Sequence, residues 1–194
     1  GLVDKGFVSI SSKRSQPLKR KVSRVGRWRP PPDAILKINT DGSSRGNPGQ
    51  AGVGGIGRDM DGNVIFIFSI HKGVHSNNVM EALAIKLAME RACSLGWRRM
   101  VCESDSQIVV DMINNQRVDD SSWQIASLVR EILHLSNFLD GISFCHIPRE
   151  WNGVADVLAK WASEKGTGWD IFDRDDLPAD YGRTLEQLVE KDRT

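Results

Sequence analysis

The chain has 194 residues, room for one domain of ordinary size plus tails, and 40% of them are hydrophobic, enough for one core. No apolar run approaches the roughly 18–20 residues of a membrane span. Cys93, Cys102 and Cys145 are scattered and form no CxxC, which excludes a disulfide framework and favours a reducing, intracellular setting. The net charge of +1 hides a division: residues 1–29 carry nine Lys/Arg against Asp4 alone, while the remainder carries 17 basic and 24 acidic groups, a net of −7.

The basic leader, residues 1–32, is Ser-, Arg- and Lys-rich and acid-poor. Three readings stay open for it: the remnant of a transit peptide, a nuclear-localisation or nucleic-acid patch around Lys13-Arg14 and Lys19-Arg20-Lys21, or a solvated linker. A nuclear location is favoured over an organellar one. A start at Gly1 is compatible with a processed product or a piece of a longer parent chain.

Pro30-Pro31-Pro32 gives a stiff entry to the domain expected over 33–164. Residues 35–41 read as a first strand that ends in a turn-rich segment, Gly42 to Gly49. Residues 51–58 form a Gly-rich second strand, Asp61-Gly62 a hairpin turn, and residues 63–70 a third strand. Met80, Leu83, Ala84, Leu87, Ala88 and Ala92 recur at helical spacing over 78–95, with Gly96 past the end. Strands at 99–104 and 141–147 and helices at 108–113, 123–138 and 151–163 complete the order β-β-β-α-β-α-α-β-α. That order implies an α/β mixed sheet covered by helices. The tail, 165–194, reads as acidic and irregular, with a short helix begun by a capping box at Thr184 and Gln187.

Four carboxylates occupy positions where a charge is unexpected. Asp41 closes the first strand, Asp105 follows the fourth, Glu81 lies in the first helical turn beside Met80 and Ala82, and Asp156 sits in the apolar run Val154 to Ala159. Each alone has a plain explanation: a turn for Asp41, a helix cap for Asp105, a helix-dipole partner for Glu81, a solvated face for Asp156. A set of half-buried carboxylates, however, calls for a cation or hydrogen-bond donors.

Their flanks read Asp41-Gly42-Ser43-Ser44-Arg45-Gly46-Asn47-Pro48-Gly49, then Ser76-Asn77-Asn78-Val79-Met80-Glu81, then Glu103-Ser104-Asp105-Ser106-Gln107, then Asn152 to Ala159 around Asp156. In this order the set closely resembles type 1 ribonuclease H, over roughly residues 35–163. The Trp28 to Pro31 entry and Ile147-Pro148-Arg149-Glu150 look like the plant ribonuclease H-like domains often attached to retroelement reverse transcriptases.

The resemblance implies a five-stranded mixed sheet, three antiparallel strands then parallel ones, flanked by helices on both sides. It implies hydrolysis of the RNA strand of an RNA–DNA hybrid by two Mg²⁺ ions about 4 Å apart, with Mn²⁺ as a substitute. Asp41 would bridge both ions, Glu81 and Asp105 would hold the leaving-group-side ion, and Asp156 the water-side ion. Contacts to RNA 2′-hydroxyls map onto Gly42, Ser44, Asn47, Asn77, Asn78 and Gln107, small or amide-bearing residues suited to close approach and two-way hydrogen bonding. Asn77 or Asn78 also reads as a helix cap. The auxiliary group is either Arg149, seven residues before Asp156, or His146, ten before it; His146 also reads as an ordinary strand residue.

One feature departs from the family. The stretch Asn114 to Asp120 is short and slightly acidic where bacterial members carry a basic hybrid-gripping loop. A catalytically silent hybrid- or RNA-binding module, or a tethering domain within a larger assembly or polyprotein, is therefore the alternative to an active, monomeric nuclease domain. Because Lys/Arg contacts to phosphate supply much of nucleic-acid affinity, the basic leader is expected to compensate. Deleting residues 1–29 should weaken hybrid binding and flatten its dependence on salt; an unchanged slope in a binding titration would remove that role.

Overall fold

A computed structural model describes residues 34–117 and 122–193. The basic leader and part of the 114–120 stretch lie outside the described residues. Three strands open the fold: β1 (Leu36–Gly46), β2 (Gly49–Arg58) and β3 (Val64–His75). Then follow α1 (Asn77–Ser94), β4 (Arg99–Ser104), α2 (Gln107–Asn115), α3 (Trp123–Leu135), β5 (Gly141–His146), α4 (Gly153–Lys165), β6 (Asp170–Ile171) and α5 (Ala179–Arg193).

The sheet order is β5-β4-β1-β2-β3-β6. β1, β2 and β3 pair antiparallel, while β1, β4 and β5 run parallel. The mixed sheet flanked by helices agrees with the sequence reading, but it has six strands rather than five. The additional one is a two-residue strand that pairs Ile171 and Asp170 with Ser69 and Ile70 of β3. So short a strand leaves no alternating pattern to detect.

The turn expected over 42–49 is mostly strand. β1 continues to Gly46, which pairs with Gly49, so only Asn47 and Pro48 turn the corner. The sheet continues because Ser43, Ser44 and Arg45 still find partners in Gly52, Ala51 and Gln50. β3 likewise runs on to His75, opposite Gly49.

Two apolar layers enclose the sheet. On one face Leu36, Ile38, Val53, Phe66, Phe68 and Ile70 pack with Ile85, Met89 and Ala92 of α1 and with Val129 and Ile132 of α3. On the other, Ile56 and Ile67 pack with Val154 and Leu158 of α4, Ile171, Leu177, and Leu185 of α5. The tail is thus part of the second layer. α5 begins at Ala179, so Thr184 is no cap; its hydroxyl donates to the Asp180 carbonyl at 3.0 Å, one turn back within the helix.

α4 can lie this close only because β2 is Gly-rich. A Cβ at Gly54 would stand 2.4 Å from the Ala159 backbone nitrogen. That contact brings the first turns of α4, which carry Asp156, down onto the strand pair that carries Asp41, since Gly54 and Asp41 are register partners.

Candidate active site

Side chains alternate along a strand, so Lys37, Asn39 and Asp41 share the face of β1 that looks toward α4. The register sets Glu103 of β4 beside Asn39 and Ser104 beside Thr40, which leaves Asp105 just past the end of β4, next to Asp41. Glu81 enters from α1. Its approach depends on Gly42, where a Cβ would lie 2.5 Å from the Glu81 nitrogen. The Gly42 amide hydrogen-bonds the Glu81 carboxylate, and the Ser104 hydroxyl donates to Glu81 Oε2 at 3.4 Å. One oxygen each from Asp41, Glu81 and Asp105 consequently lies within 4.8 Å of the other two.

Asp41 and Glu81 are buried, at 4% and 8% exposure, and Asp105 is half-buried. Burial pushes the Asp41 carboxyl far above its ordinary range, and the neighbouring Glu81, Asp105 and Asp156 charges push it further. Burial also raises Glu81, against the lowering effect of its hydrogen bond with Asp41. Asp105 is raised too, chiefly by desolvation, with the Arg149 charge opposing. The arrangement stores repulsion that a proton relieves in part and a cation relieves more fully.

These residues fit a divalent metal. The donors are hard carboxylate oxygens, the preference of Mg²⁺ and Mn²⁺, and their convergence on one another is unfavourable in the cation's absence.

Asp156 stands beside this group rather than within it. Its side chain is 17% exposed, with Arg149 3.3 Å from Oδ1 and Lys160 Nζ 3.1 Å from Oδ2. The site therefore has three converging carboxylates and a fourth already engaged by two cations. Lys160 had no place in the sequence reading, although its spacing of four from Asp156 on one helix was the available signal.

Arg149 opens a 3-10 turn, residues 149–151, and its guanidinium is 68% exposed on the site side, its proton held by the charges of Asp156, Asp41 and Asp105. His146 is the exposed last residue of β5, in register with Ser104.

The candidate hybrid contacts flank the carboxylates along the chain. The Asn77 amide donates to Asn47 Oδ1 at 3.1 Å, tying the hairpin tip to the start of α1. The Ser44 hydroxyl bonds the His75 carbonyl at 2.8 Å and also meets the Gly46 carbonyl. Gln107 is the exposed first residue of α2, with Nε2 2.7 Å from Asp111. Asn78 is half-buried in the first turn of α1.

Several single-residue explanations fall away here. Ser76, not Asn77 or Asn78, caps α1, accepting from the Val79 amide, so Glu81 lies beyond the first turn. Ser106, not Asp105, caps α2. Asp105 and Glu81 are thus released from capping duty, and Asn77 and Asn78 keep free amide ends at the helix start. Asn39, Ser104 and Asn152 are site residues that the sequence reading did not single out for a role. The period-two alignment of Asn39 with Asp41 was the signal for the first.

A family model described as reverse transcriptase-like matches residues 39–162. The chain belongs to that family. Its relatives are ribonuclease H proteins, a plant one among them. A putative ribonuclease H protein of Arabidopsis thaliana is 33% identical over 79% of this chain, and ribonuclease HI of Halobacterium salinarum is 34% identical over 63% of it. This chain spans only 24% and 61% of the lengths of those two relatives. Among solved structures, RNase H1 of Halobacterium salinarum superposes with a TM-score of 0.65 at 29% identity, covering 68% of this chain and 99% of that one. A compost-derived RNase H1, solved in complex with an RNA/DNA hybrid, gives 0.62 at 30% identity, over 67% and 97%.

The raised carboxyls of this ribonuclease H-like domain make a signed prediction about stability. Asp41 and Glu81 titrate higher when folded than when unfolded, so above about pH 4 the native state binds more protons than the unfolded one. Stability of the metal-free protein should then fall as pH rises from about 4 through neutrality. Asp41→Asn should flatten that slope and raise Tm at neutral pH, on the order of 1–2 kcal/mol or roughly 2–8 °C. Thermal unfolding in chelator across pH checks this; a lowered Tm with the slope intact would contradict it.

Proposed function

We propose that the domain is a metal-dependent endoribonuclease that hydrolyses the RNA strand of RNA–DNA hybrids. The observation that carries the reading is the convergence of Asp41, Glu81 and Asp105, from three separate elements, at a cost in repulsion that ordinary fold stability does not require. The substrate class rests on the flanking Gly, Ser, Asn and Gln residues and on the relative seen with a hybrid.

Asp41, Glu81, Asp105 and Asp156 would hold two Mg²⁺ ions, with Mn²⁺ able to substitute. Bound there, the ions supply positive charge for the attacking and departing oxygens of an in-line displacement at phosphorus. Asp41 would be shared between the two ions, Glu81 and Asp105 would hold the one on the leaving-group side, and Asp156 the one on the water side. Asn47, Asn77, Asn78 and Gln107 present amides, and Gly42 and Ser44 backbone, to 2′-hydroxyls, which distinguish RNA from DNA. Arg149 is favoured over His146 as the auxiliary group, because its guanidinium already lies against Asp156 and its exposure lets it turn toward a phosphate. The biological setting is an intracellular, reducing one in this reading.

A labelled RNA–DNA hybrid incubated with the protein tests the proposal. Cleavage is expected with Mg²⁺ or Mn²⁺, RNA-strand-specific, and Asp105→Asn should lower kcat by at least about a hundredfold. No cleavage by the unmodified protein with either ion would sink the enzyme reading in favour of a silent binding or tethering module.

A further inference from the structure

Arg58 ends β2 on the face that carries the site and is 2% exposed. A guanidinium taken out of water costs several kcal/mol unless its N–H groups are met. The two terminal nitrogens of Arg58 point to different elements: Nη1 lies 2.9 Å from Asp192 Oδ2 on α5, and Nη2 donates to Asn39 Oδ1 at 3.1 Å.

Asn39 is fixed in turn. With its oxygen held by Arg58, its Nδ2 donates to Glu103 Oε1 at 3.1 Å and to Asn152 Oδ1 at 3.3 Å. Asn152, also buried, passes the linkage on in three directions. Its Nδ2 donates to the Thr40 carbonyl at 2.9 Å, one residue from Asp41. Its backbone carbonyl accepts from the Asp156 amide, and its own amide donates to the Arg149 carbonyl, each at 3.0 Å. From Asp192 to Asp156, each step is a hydrogen bond, and Arg58, Asn39 and Asn152 are each at most 2% exposed. Such a network has little freedom to relax when one member is lost.

α5 lies outside residues 39–162, the part matched by the family model. We infer that this added helix is a working part of the catalytic site. Through the Asp192–Arg58 pair it holds Asn39 and Asn152, and thereby sets where Asp156 and Arg149 stand relative to the Asp41–Glu81–Asp105 group. Asp192 and Arg58 are positioning residues; neither touches substrate. The inference rests on the proposed nuclease activity for its kinetic consequences, but not for its effect on metal binding.

The test compares four variants of the full chain with the unmodified protein, all confirmed folded at the assay temperature by circular dichroism. Asp192→Asn removes the negative charge that faces Arg58, and Asp192→Glu keeps one there. Arg58→Lys keeps a charge opposite Asp192 but loses the planar fork that spans Asp192 and Asn39. Leu185→Ala loosens α5 through its apolar anchor alone. Two quantities are read: Mn²⁺ affinity by calorimetry without substrate, and kcat and KM on a hybrid.

The expected result is a fall in kcat of about tenfold or more at little-changed KM for Asp192→Asn and Arg58→Lys, with Mn²⁺ affinity weakened several-fold. Asp192→Glu should recover most of both, and Leu185→Ala should lower Tm without moving either. Asp192→Asn with unchanged Mn²⁺ affinity and kcat would overturn the inference, as would an equal loss of both in Leu185→Ala. If Asp192→Asn does not fold, the same readings on Arg58→Lys decide. If the unmodified protein cleaves nothing, the nuclease reading fails while the Mn²⁺ comparison still tests the relay.

Discussion

Three carboxylates within 4.8 Å of one another, two of them out of water, repel, and the fold around them is arranged to hold them there regardless. Parallel pairing of β1 with β4 places Asp41 next to Asp105. The missing side chain at Gly42 lets α1 bring Glu81 across β1, and the missing side chain at Gly54 lets α4 bring Asp156 to the flank. Loss of the approach at Gly42 would ease the repulsion and dissolve the cluster, and loss of the approach at Gly54 would draw Asp156 from its flank. The protein thus keeps an unfavourable cluster that a divalent cation would make favourable.

The sheet face beneath the cluster is unusually polar. Lys37, Asn39 and Asp41 on β1, Glu103 on β4 and Arg58 on β2 all look toward α4, and hydrogen bonds and an ion pair at 3.7 Å between Lys37 and Glu103 join Lys37, Asn39, Glu103 and Arg58. Satisfied buried networks of this kind give up hydrophobic stabilisation for rigid placement of the groups they hold. α5 takes part in that placement because its Asp192 neutralises the deepest charge in the network.

Much of this was legible in the sequence, for identifiable reasons. Asp41-Gly42 at a strand end, Glu81 in an apolar helix and Asp156 in an apolar run are exceptions to hydrophobic patterning, and exceptions mark sites. The helix at 78–95 carried regular apolar spacing, and the strand at 99–104 a short apolar run. What escaped was either too short or too distant in sequence. β6 has two residues and no pattern. The capping box at Thr184 satisfied a local rule that an earlier helix start, at Ala179, made irrelevant. Nothing local to Arg58, the last residue of the second strand, shows that a residue 134 positions away, Asp192, would cover it. The engagement of Asp156 by Lys160 was readable from their helical spacing of four.

On this reading the Asp41–Glu81–Asp105 cluster exists to bind divalent metal. Anomalous diffraction from a Mn²⁺-soaked crystal of the protein tests it most directly, since it locates the ion independently of activity or substrate. The account predicts an anomalous peak coordinated by carboxylate oxygens of Asp41, Glu81 and Asp105. Well-ordered carboxylates with no peak between them, or Mn²⁺ bound only elsewhere, would contradict it.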